Sequence, residues 1–579
     1  MDRPWLRHYE NGVPQTLAIP NQTIPEVFGE AVRTYAGSTA MIYYGRKFDY
    51  RTLGAMVERF AAALVHLGVK KGDRVAIILP NVPQYPVVHY AVMQLGAIAV
   101  PTNPLYVERE LEYQLNNSGA EVAIALDLLY PRVEAARKHA ALREVVYTSA
   151  RDYLPLPLRW LYPIKAKRSG KWIEIPRQAH THDFLRLIKS NFSAAPVVQV
   201  AQNEIAILLY TGGTTGISKG AVLTHRNLVA NLAQVRAWFT QCQPGKEILL
   251  AALPFFHSYG MTSCLHMSVY LGSSVVLIPR FEVETVLKSL QKYKVTLFPG
   301  VPTMYVAVNN SSAVQKYSLE HVRACMSGGA PLPLSVAKQF ETNAKGARLV
   351  EGYGLSETSP VTHCNPILGQ RKEGSIGLPM PETDAIILDP ETREPVAPNE
   401  VGELALRGPQ VMQGYWRMEE ETRRIFHNGW MLTGDMAKMD EEGYFYIVDR
   451  KKDMIIAGGF NIYPREIEEV LYRHPKVLEA AVIGAMDQYR GETVKAFIVL
   501  REGQTATEEE IINFCQQEMA RYKVPKLVEF RKELPKSLIG KVLRRVLSEE
   551  ERTKQAAGAQ AKPHAVGASG SMPLKHEAV

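Results

Sequence analysis

Between Tyr210 and Gly220 the chain reads Tyr-Thr-Gly-Gly-Thr-Thr-Gly-Ile-Ser-Lys-Gly: four glycines, four serines or threonines and one lysine, directly after the apolar run Ile205 to Leu209. A loop of this composition leaving a strand offers backbone N–H groups, hydroxyl donors and a positive charge to phosphate oxygens. It does not have the spacing of the GxxxxGK[ST] loop of P-loop ATPases. Ser218 stands where the second glycine would be, and Gly220 where the magnesium-holding hydroxyl would be. The loop therefore points to phosphate, and to a different phosphate chemistry. A glycine- and threonine-rich structural turn is the alternative for this loop taken alone.

Five more segments follow in order: Ser327-Gly328-Gly329-Ala330-Pro331-Leu332, Glu351-Gly352-Tyr353-Gly354-Leu355-Ser356-Glu357-Thr358, Gly429 to Asp435, Asp449-Arg450-Lys451-Lys452-Asp453, and Pro535-Lys536-Ser537-Leu538-Ile539-Gly540-Lys541. Gly328, Gly329 and Ala330 make a small-residue surface, and Tyr353 supplies an aromatic face. Glu357 is a hard carboxylate donor suited to Mg²⁺ that also binds substrate phosphate. Asp435 accepts hydrogen bonds only, and Arg450 is a donor. Read singly, most of these have bland alternatives: an exposed glutamate is solvated, and Lys541 beside Arg544 and Arg545 could belong to a basic helix face.

Taken together, the motifs are similar to those of the adenylate-forming superfamily, which contains acyl-CoA synthetases, firefly luciferase and the adenylation domains of peptide synthetases. The resemblance runs from about residue 20 to residue 550. Wording such as LPFFHSYGMT, VTLFPGVPTMY, VEGYGLSETSPVTHCNP, DRKKDMIIAGGFNIYPREIEEVL and YRGETVKAFIVL is most similar to bacterial long-chain fatty acid:CoA ligases. It implies an ATP- and Mg²⁺-dependent enzyme that turns a medium- to long-chain fatty acid into acyl-AMP and pyrophosphate, then passes the acyl group to coenzyme A.

The resemblance assigns roles residue by residue. Thr211, Gly212, Gly213, Thr214, Thr215, Gly216 and Lys219 hold the β- and γ-phosphates, with Glu357 and Thr211 at Mg²⁺. Gly328, Gly329, Ala330, Glu351, Gly352, Tyr353, Gly354 and Ser356 frame the nucleotide; Ser356 replaces the usual threonine and keeps its hydroxyl. Asp435 and Arg450 meet the ribose. Lys541 bridges carboxylate and α-phosphate, two anions whose repulsion it offsets. Lys452 is the hinge about which a small C-terminal module turns, so that Gly458, Gly459 and Phe460 form the pantetheine tunnel. His257 matches a position near the acyl carboxylate, for which a packed core histidine is the alternative. Phe256, Val301, Pro302 and Met304 are candidates for the acyl pocket. No GxSxG is present, and none is needed when a thiolate attacks a mixed anhydride.

The elements that must position these groups are legible as an α/β pattern. Leu53, Met56, Val57, Phe60, Leu64 and Leu67 fall at helical spacing and stop at Gly68, and the strand RVAIILP follows. HYAVMQLGA before IAVPTN and ETVLKSLQKY before VTLFPG repeat the alternation, which predicts mostly parallel sheets covered by helices. The expected organisation is an AMP-binding and acyl-binding domain at 1–449, a mobile α+β module at 450–550 carrying Lys541, and a disordered tail at 551–579. In the module, IYPREIEEVLYRHP reads as a helix, KAFIVL as a strand, and Thr507 to Glu510 as a capping box.

A length of 579 residues requires more than one core. A net charge of +8, from 67 basic and 59 acidic residues, is a mild excess and no nucleic-acid signature. Five scattered cysteines without metal spacing read as reduced thiols. The N-terminus lacks the apolar core of a signal peptide, and Val82 to Val100 is too interrupted to span a bilayer, reading as helix then strand. The expected location is the cytoplasm, with peripheral association at the inner face of the membrane compatible with the resemblance. The aromatic and basic stretch around Trp160, Lys165, Lys167, Arg168 and Lys171 suits a membrane interface by composition; a solvated surface loop is the favoured reading. Rival functions are an aryl- or branched-acid CoA ligase, an acyl-AMP ligase serving a carrier protein, and a non-catalytic nucleotide sensor, which would not be expected to keep both Lys541 and Glu357.

Overall fold

The structure is a computed structural model that describes residues 2–170, 172–211, 218–457, 460–487, 491–537 and 542–560. Two compact units divide the chain, the first ending at Lys452 and the second beginning at Asp453.

In the first unit the predicted helix–strand alternation builds a seven-stranded sheet in the order Thr181–Asp183, Glu144–Thr148, Val122–Leu126, Arg74–Ile78, Ile98–Pro101, Ile205–Thr211, Lys219–Thr224. Successive pairs are parallel except the last. Alternate residues point to one face, so Ala76, Ile78, Ala123, Ala125, Val145 and Tyr147 pack against Leu111, Leu115, Val133 and Ala136 of the helices Glu108–Ser118 and Tyr130–Arg137. Each large apolar side chain buried in this way contributes about 1.5–3 kcal/mol. The helix from Tyr50 runs to His66, capped by Asp49 accepting from Thr52 N, and ends before Gly68, whose φ of +83° favours glycine. Val82 to Val100 is the expected helix (Gln84–Gln94) and buried strand (Ile98–Pro101).

Two four-stranded sheets and a five-stranded sheet complete the unit among the described residues. In one of them Ala324–Ser327 and Arg348–Gly354 run parallel, with Ser327 level with Glu351. The last sheet, from Asp384 to Arg450, is antiparallel throughout, so the parallel pattern does not extend to the end of the unit. All five cysteines are buried free thiols.

The second unit is α+β. The long strands Val477–Asp487 and Gly491–Leu500 pair antiparallel, and Leu527–Phe530 joins the latter in parallel. Their two faces are both buried: Ala480, Val482, Ala496 and Ile498 meet Ile467, Leu471, Ile511 and Cys515 of the helices Pro464–Arg473 and Glu508–Glu518. Ala481, Ile483, Phe497 and Val499 meet Leu534 and Leu547. Thr507 accepts from Glu510 N, as expected of an N-cap.

Two elements differ from expectation. Leu156–Arg168 is a helix, not a loop, with Pro163 inside it. The last helix spans Arg544–Gln560, beyond the expected end of order at residue 550.

Candidate functional site

The phosphate-loop candidates sit on a hairpin. Ile205–Thr211 and Lys219–Thr224 pair antiparallel with Thr211 opposite Lys219. Ser218 Oγ donates to the Thr211 carbonyl at 2.8 Å, and Tyr113 OH donates to the Ser218 carbonyl at 2.9 Å. Gly212, Gly213, Thr214, Thr215 and Gly216 lie outside the described residues; the strand register brings the two ends of their loop together. Lys219 is buried, and its ammonium pairs with Glu421 and lies 5.2 Å from the Tyr415 ring centroid. That hydrogen bond holds the Glu421 carboxyl below its ordinary range.

Gly328, Gly329 and Ala330 leave the carboxyl end of Ala324–Ser327, and Gly352, Tyr353 and Gly354 close Arg348–Gly354 beside it. Neighbouring carboxyl ends of parallel strands are where open α/β sheets bind ligands. Glu351 does not simply face a ligand: its carboxylate accepts from Leu332 N at 3.0 Å and ties the Gly328 to Leu332 turn to the next strand. The glycines answer to packing. A Cβ at Gly354 would stand 1.9 Å from the Pro360 carbonyl oxygen, one at Gly352 2.7 Å from Met326 Sδ, and one at Gly328 3.1 Å from the Tyr259 ring. Gly329 has φ +81°. Ser327 Oγ, at the head of this turn, is buried without a hydrogen-bond partner among the described residues.

Ser356 and Glu357 lie on a single 3-10 turn, Ser356–Thr358. Ser356 Oγ is 3.3 Å from Ser258 Oγ, which brings His257 to the same edge. His257 Nδ1 accepts from Tyr259 N at 3.3 Å, so a neutral ring carries its proton on Nε2. Tyr259 OH in turn donates to the Met326 carbonyl at 2.6 Å. Glu357 Oε1 accepts from Tyr415 OH at 2.9 Å. Burial, then the Glu357 charge, raise the Tyr415 phenol well above its ordinary value, so it remains a donor. Among the described residues no three His, Cys, Asp or Glu side chains form a metal cage. A hard cation held by Glu357 would complete its shell with phosphate oxygens and water, as Mg²⁺ commonly does, and the carboxylate donor fits that ion.

Asp435 is buried. Its Oδ2 accepts from Tyr353 OH at 2.6 Å, and Oδ1 faces Arg450 Nε at 3.4 Å across the paired strands Trp430–Met439 and Phe445–Arg450. Burial, then Asp435, hold the Tyr353 phenol well above its ordinary range. Tyr353, Asp435 and Arg450 are thus one linked unit. Lys452 is the last residue of the first unit. Gly458, Gly459 and Lys541 lie outside the described residues; the segment containing Lys541 is bracketed by a bridge between Lys536 and Val542.

Sequence reasoning missed Tyr415, Glu421 and Tyr259. Tyr415 sits between Gly414 and Trp416, and Glu421 in the run Glu419-Glu420-Glu421. An aromatic beside a glycine was the one available signal. The acidic run reads as a solvated helix start, and its partner Lys219 is 202 residues away.

Comparison with known proteins matches this layout. Residues 28–416 match the AMP-binding enzyme family and residues 466–541 the AMP-binding enzyme C-terminal domain. A long-chain-fatty-acid–CoA ligase of Bacillus subtilis (strain 168) is 47% identical over 552 residues, covering 95% of this chain and 98% of that one. The crystal structure of ATP-bound MatB from Rhodopseudomonas palustris is 29% identical with a TM-score of 0.80, over 91% of this chain and 99% of that one. That of the anthranilate CoA ligase AuaEII in complex with anthranoyl-AMP is 27% identical with a TM-score of 0.81, over 93% and 99%. With two thirds of its length matched by the family pattern, the chain belongs to the AMP-binding enzyme family.

Proposed function

We propose that the protein is an AMP-forming long-chain fatty acid:CoA ligase. The observation that carries this reading is that side chains from separate motifs are joined in two groups, Lys219–Glu421 beside Tyr415–Glu357, and Tyr353–Asp435–Arg450. The full-length similarity to the long-chain-fatty-acid–CoA ligase of Bacillus subtilis supports the substrate class.

In this reading the fatty carboxylate attacks the α-phosphorus of ATP, a P–O bond to the β-phosphate breaks, and pyrophosphate leaves. Lys541 lies between the two anions and offsets their repulsion as the new bond forms. Thr211 and Lys219, at the two ends of the glycine loop, hold the departing phosphates, with Gly212, Gly213, Thr214, Thr215 and Gly216 supplying N–H groups and hydroxyls. Glu357, oriented by Tyr415, and Thr211 would hold Mg²⁺, whose charge would neutralise that of the phosphates. Asp435 takes the ribose hydroxyls, and Gly328, Gly329, Ala330 and Tyr353 take the adenine. His257 orients the acyl carboxylate. The second unit then turns about Lys452, bringing Gly458 and Gly459 to line the path of the CoA thiol. The thiolate attacks the acyl carbonyl, the acyl–phosphate bond breaks, and AMP leaves.

Among the described residues no helix is long and apolar enough to cross a membrane. We place the enzyme in the cytoplasm, lying peripherally on the inner face of the membrane, where long-chain acids dissolve.

The test is pyrophosphate release across acetate, octanoate, palmitate, oleate and 4-coumarate, with and without CoA and with mass detection of the thioester. CoA-dependent turnover that peaks at palmitate or oleate supports the reading. A peak at 4-coumarate moves the substrate to the aryl acids, and thioester-free acyl-AMP accumulation overturns the CoA step.

A further inference from the structure

The helix Leu156–Arg168 carries its apolar side outward. On a 3.6-residue period Leu156, Trp160 and Ile164 share one arc, with Leu161 beside it. Trp160 is 76% exposed, and Leu156, Leu161 and Ile164 are each more than half exposed. The opposite side makes the contacts with the protein: Ala166 is buried, and Arg159 and Tyr162 are half-buried. An ordinary surface helix has this pattern reversed.

Charge is arranged just as unusually. Lys165, Lys167 and Arg168 close the helix and are exposed. No acidic residue occurs between Asp152 and Glu174. A neighbouring hairpin continues the surface. Tyr43 OH donates to the Ala150 carbonyl at 3.1 Å, tying the hairpin to the turn that precedes the helix, and Tyr44, Arg46 and Lys47 at its tip are exposed.

An exposed tryptophan with aliphatic neighbours, ending in lysines and arginine, has the chemistry of an element lying in a lipid interface. The indole settles at headgroup depth, and the cations are drawn to anionic lipid. A second copy of the chain is a poorer occupant. A symmetric pairing would set Lys165, Lys167 and Arg168 against themselves, with no carboxylate in the segment to neutralise them.

We propose that Leu156–Arg168 is the element through which the protein docks on an anionic lipid surface, Trp160, Leu161 and Ile164 entering the interface and Lys165, Lys167 and Arg168 pairing with lipid phosphates. This rests on the peripheral placement given above and adds the element that makes the contact. Its helix axis, about 20 Å long at 1.5 Å per residue, lies in the membrane plane.

The test uses the full chain, with sedimentation against vesicles of phosphatidylcholine alone and of phosphatidylcholine with one quarter phosphatidylglycerol, at low and high salt. Three variants accompany it: Trp160→Phe, Trp160→Ser with Ile164→Ser, and Lys165→Gln with Lys167→Gln and Arg168→Gln. Binding is expected only with phosphatidylglycerol, weakened by salt. It should fall on the order of a hundredfold in the triple charge variant, from the loss of three cations near the surface. A blue shift of tryptophan emission on binding should be lost in Trp160→Phe. Turnover of octanoate in vesicle-free buffer should be unchanged, which shows that a variant is folded; if the serine variant fails this check, the charge variant decides. If the unsubstituted protein binds anionic vesicles and the charge variant binds equally, the helix assignment is overturned and the peripheral placement stands. No binding to any vesicle overturns both. Dimerisation lost in Trp160→Ser with Ile164→Ser, without vesicle binding, gives the face to a second copy and overturns the proposal.

Discussion

Replacing Tyr415 by phenylalanine removes one atom from the site and isolates the proposed role of Glu357. The phenol donates to Glu357 Oε1 at 2.9 Å. A hydrogen bond to a charged acceptor contributes about 1.5–3 kcal/mol, and the lower half applies here because Glu357 is only half-buried. At 1.4 kcal/mol per tenfold, kcat/KM for MgATP in the adenylation half-reaction should fall about 10- to 40-fold. The ring itself stays, so its packing and its contact with Lys219, 5.2 Å from the centroid, are preserved. Thermal stability should fall by no more than about 1.5–2 kcal/mol, since the folded protein loses the same hydrogen bond. The assay is single-turnover formation of acyl-AMP from acid and MgATP, set beside transfer from preformed acyl-AMP to CoA. The transfer step needs no magnesium and should be untouched. Unaltered MgATP kinetics, or equal loss in both half-reactions, would refute the assignment of Glu357 to the metal and of Tyr415 to its orientation.

Lys541→Ala should lower adenylation by roughly 10²–10³ and leave transfer from preformed acyl-AMP largely intact; a matched loss in both steps contradicts its role. Gly354→Ala places a methyl 1.9 Å from the Pro360 carbonyl oxygen. The strands must part, with a loss of about 1–3 kcal/mol in chemical denaturation and of nucleotide binding by calorimetry. Arg323→Met deprives the buried Glu247 carboxylate of its ionic partner, leaving Thr296 Oγ1 and Gln243 N as donors; about 2 kcal/mol of stability should be lost in urea unfolding. Burial lowers the pKa of His225 from its ordinary 6.5 to about 4. Below pH 6.5 the unfolded chain takes up a proton that the folded one refuses, so the contribution of His225 to stability is full above that pH and falls by about 1.4 kcal/mol per unit toward pH 4, beside those of the buried His89, His266 and His363. His225→Asn, which keeps an acceptor near the Nδ1 that faces Ile24 N, should flatten the denaturation midpoint against pH in that window; an unchanged slope contradicts this.

Much of the architecture was legible because it rests on local periodicity. The helix Tyr50–His66, its stop at Gly68, and the helix and strand within Val82 to Val100 all follow from apolar spacing and glycine position. Leu156–Arg168 was not, because Pro163 and an apolar side facing solvent defeat a reading that assumes apolar residues turn inward. The last helix runs to Gln560 on the alanine, glutamine and glutamate of its final turns, where intrinsic propensity replaces a hydrophobic stripe. The antiparallel sheet from Asp384 to Arg450 was hidden because short strands separated by turns do not state their direction. At the site, the motifs named the groups without their partners. That Tyr353 holds Asp435, that Tyr415 holds Glu357 and that Glu421 pairs with Lys219 are contacts made by the fold across 82, 58 and 202 residues. The contact by which the Glu351 carboxylate braces the Gly328 turn likewise joins two motifs through the fold.

The central claim is that ATP is split between its α- and β-phosphates to make a thioester. Incubating the purified protein with palmitate, ATP, Mg²⁺ and CoA, and quantifying all nucleotides and thioesters by mass, tests it directly. Palmitoyl-CoA, AMP and pyrophosphate are expected in equal amounts, with none formed when palmitate is omitted. ADP and phosphate as the products, or AMP and pyrophosphate without any acyl-CoA, would contradict it.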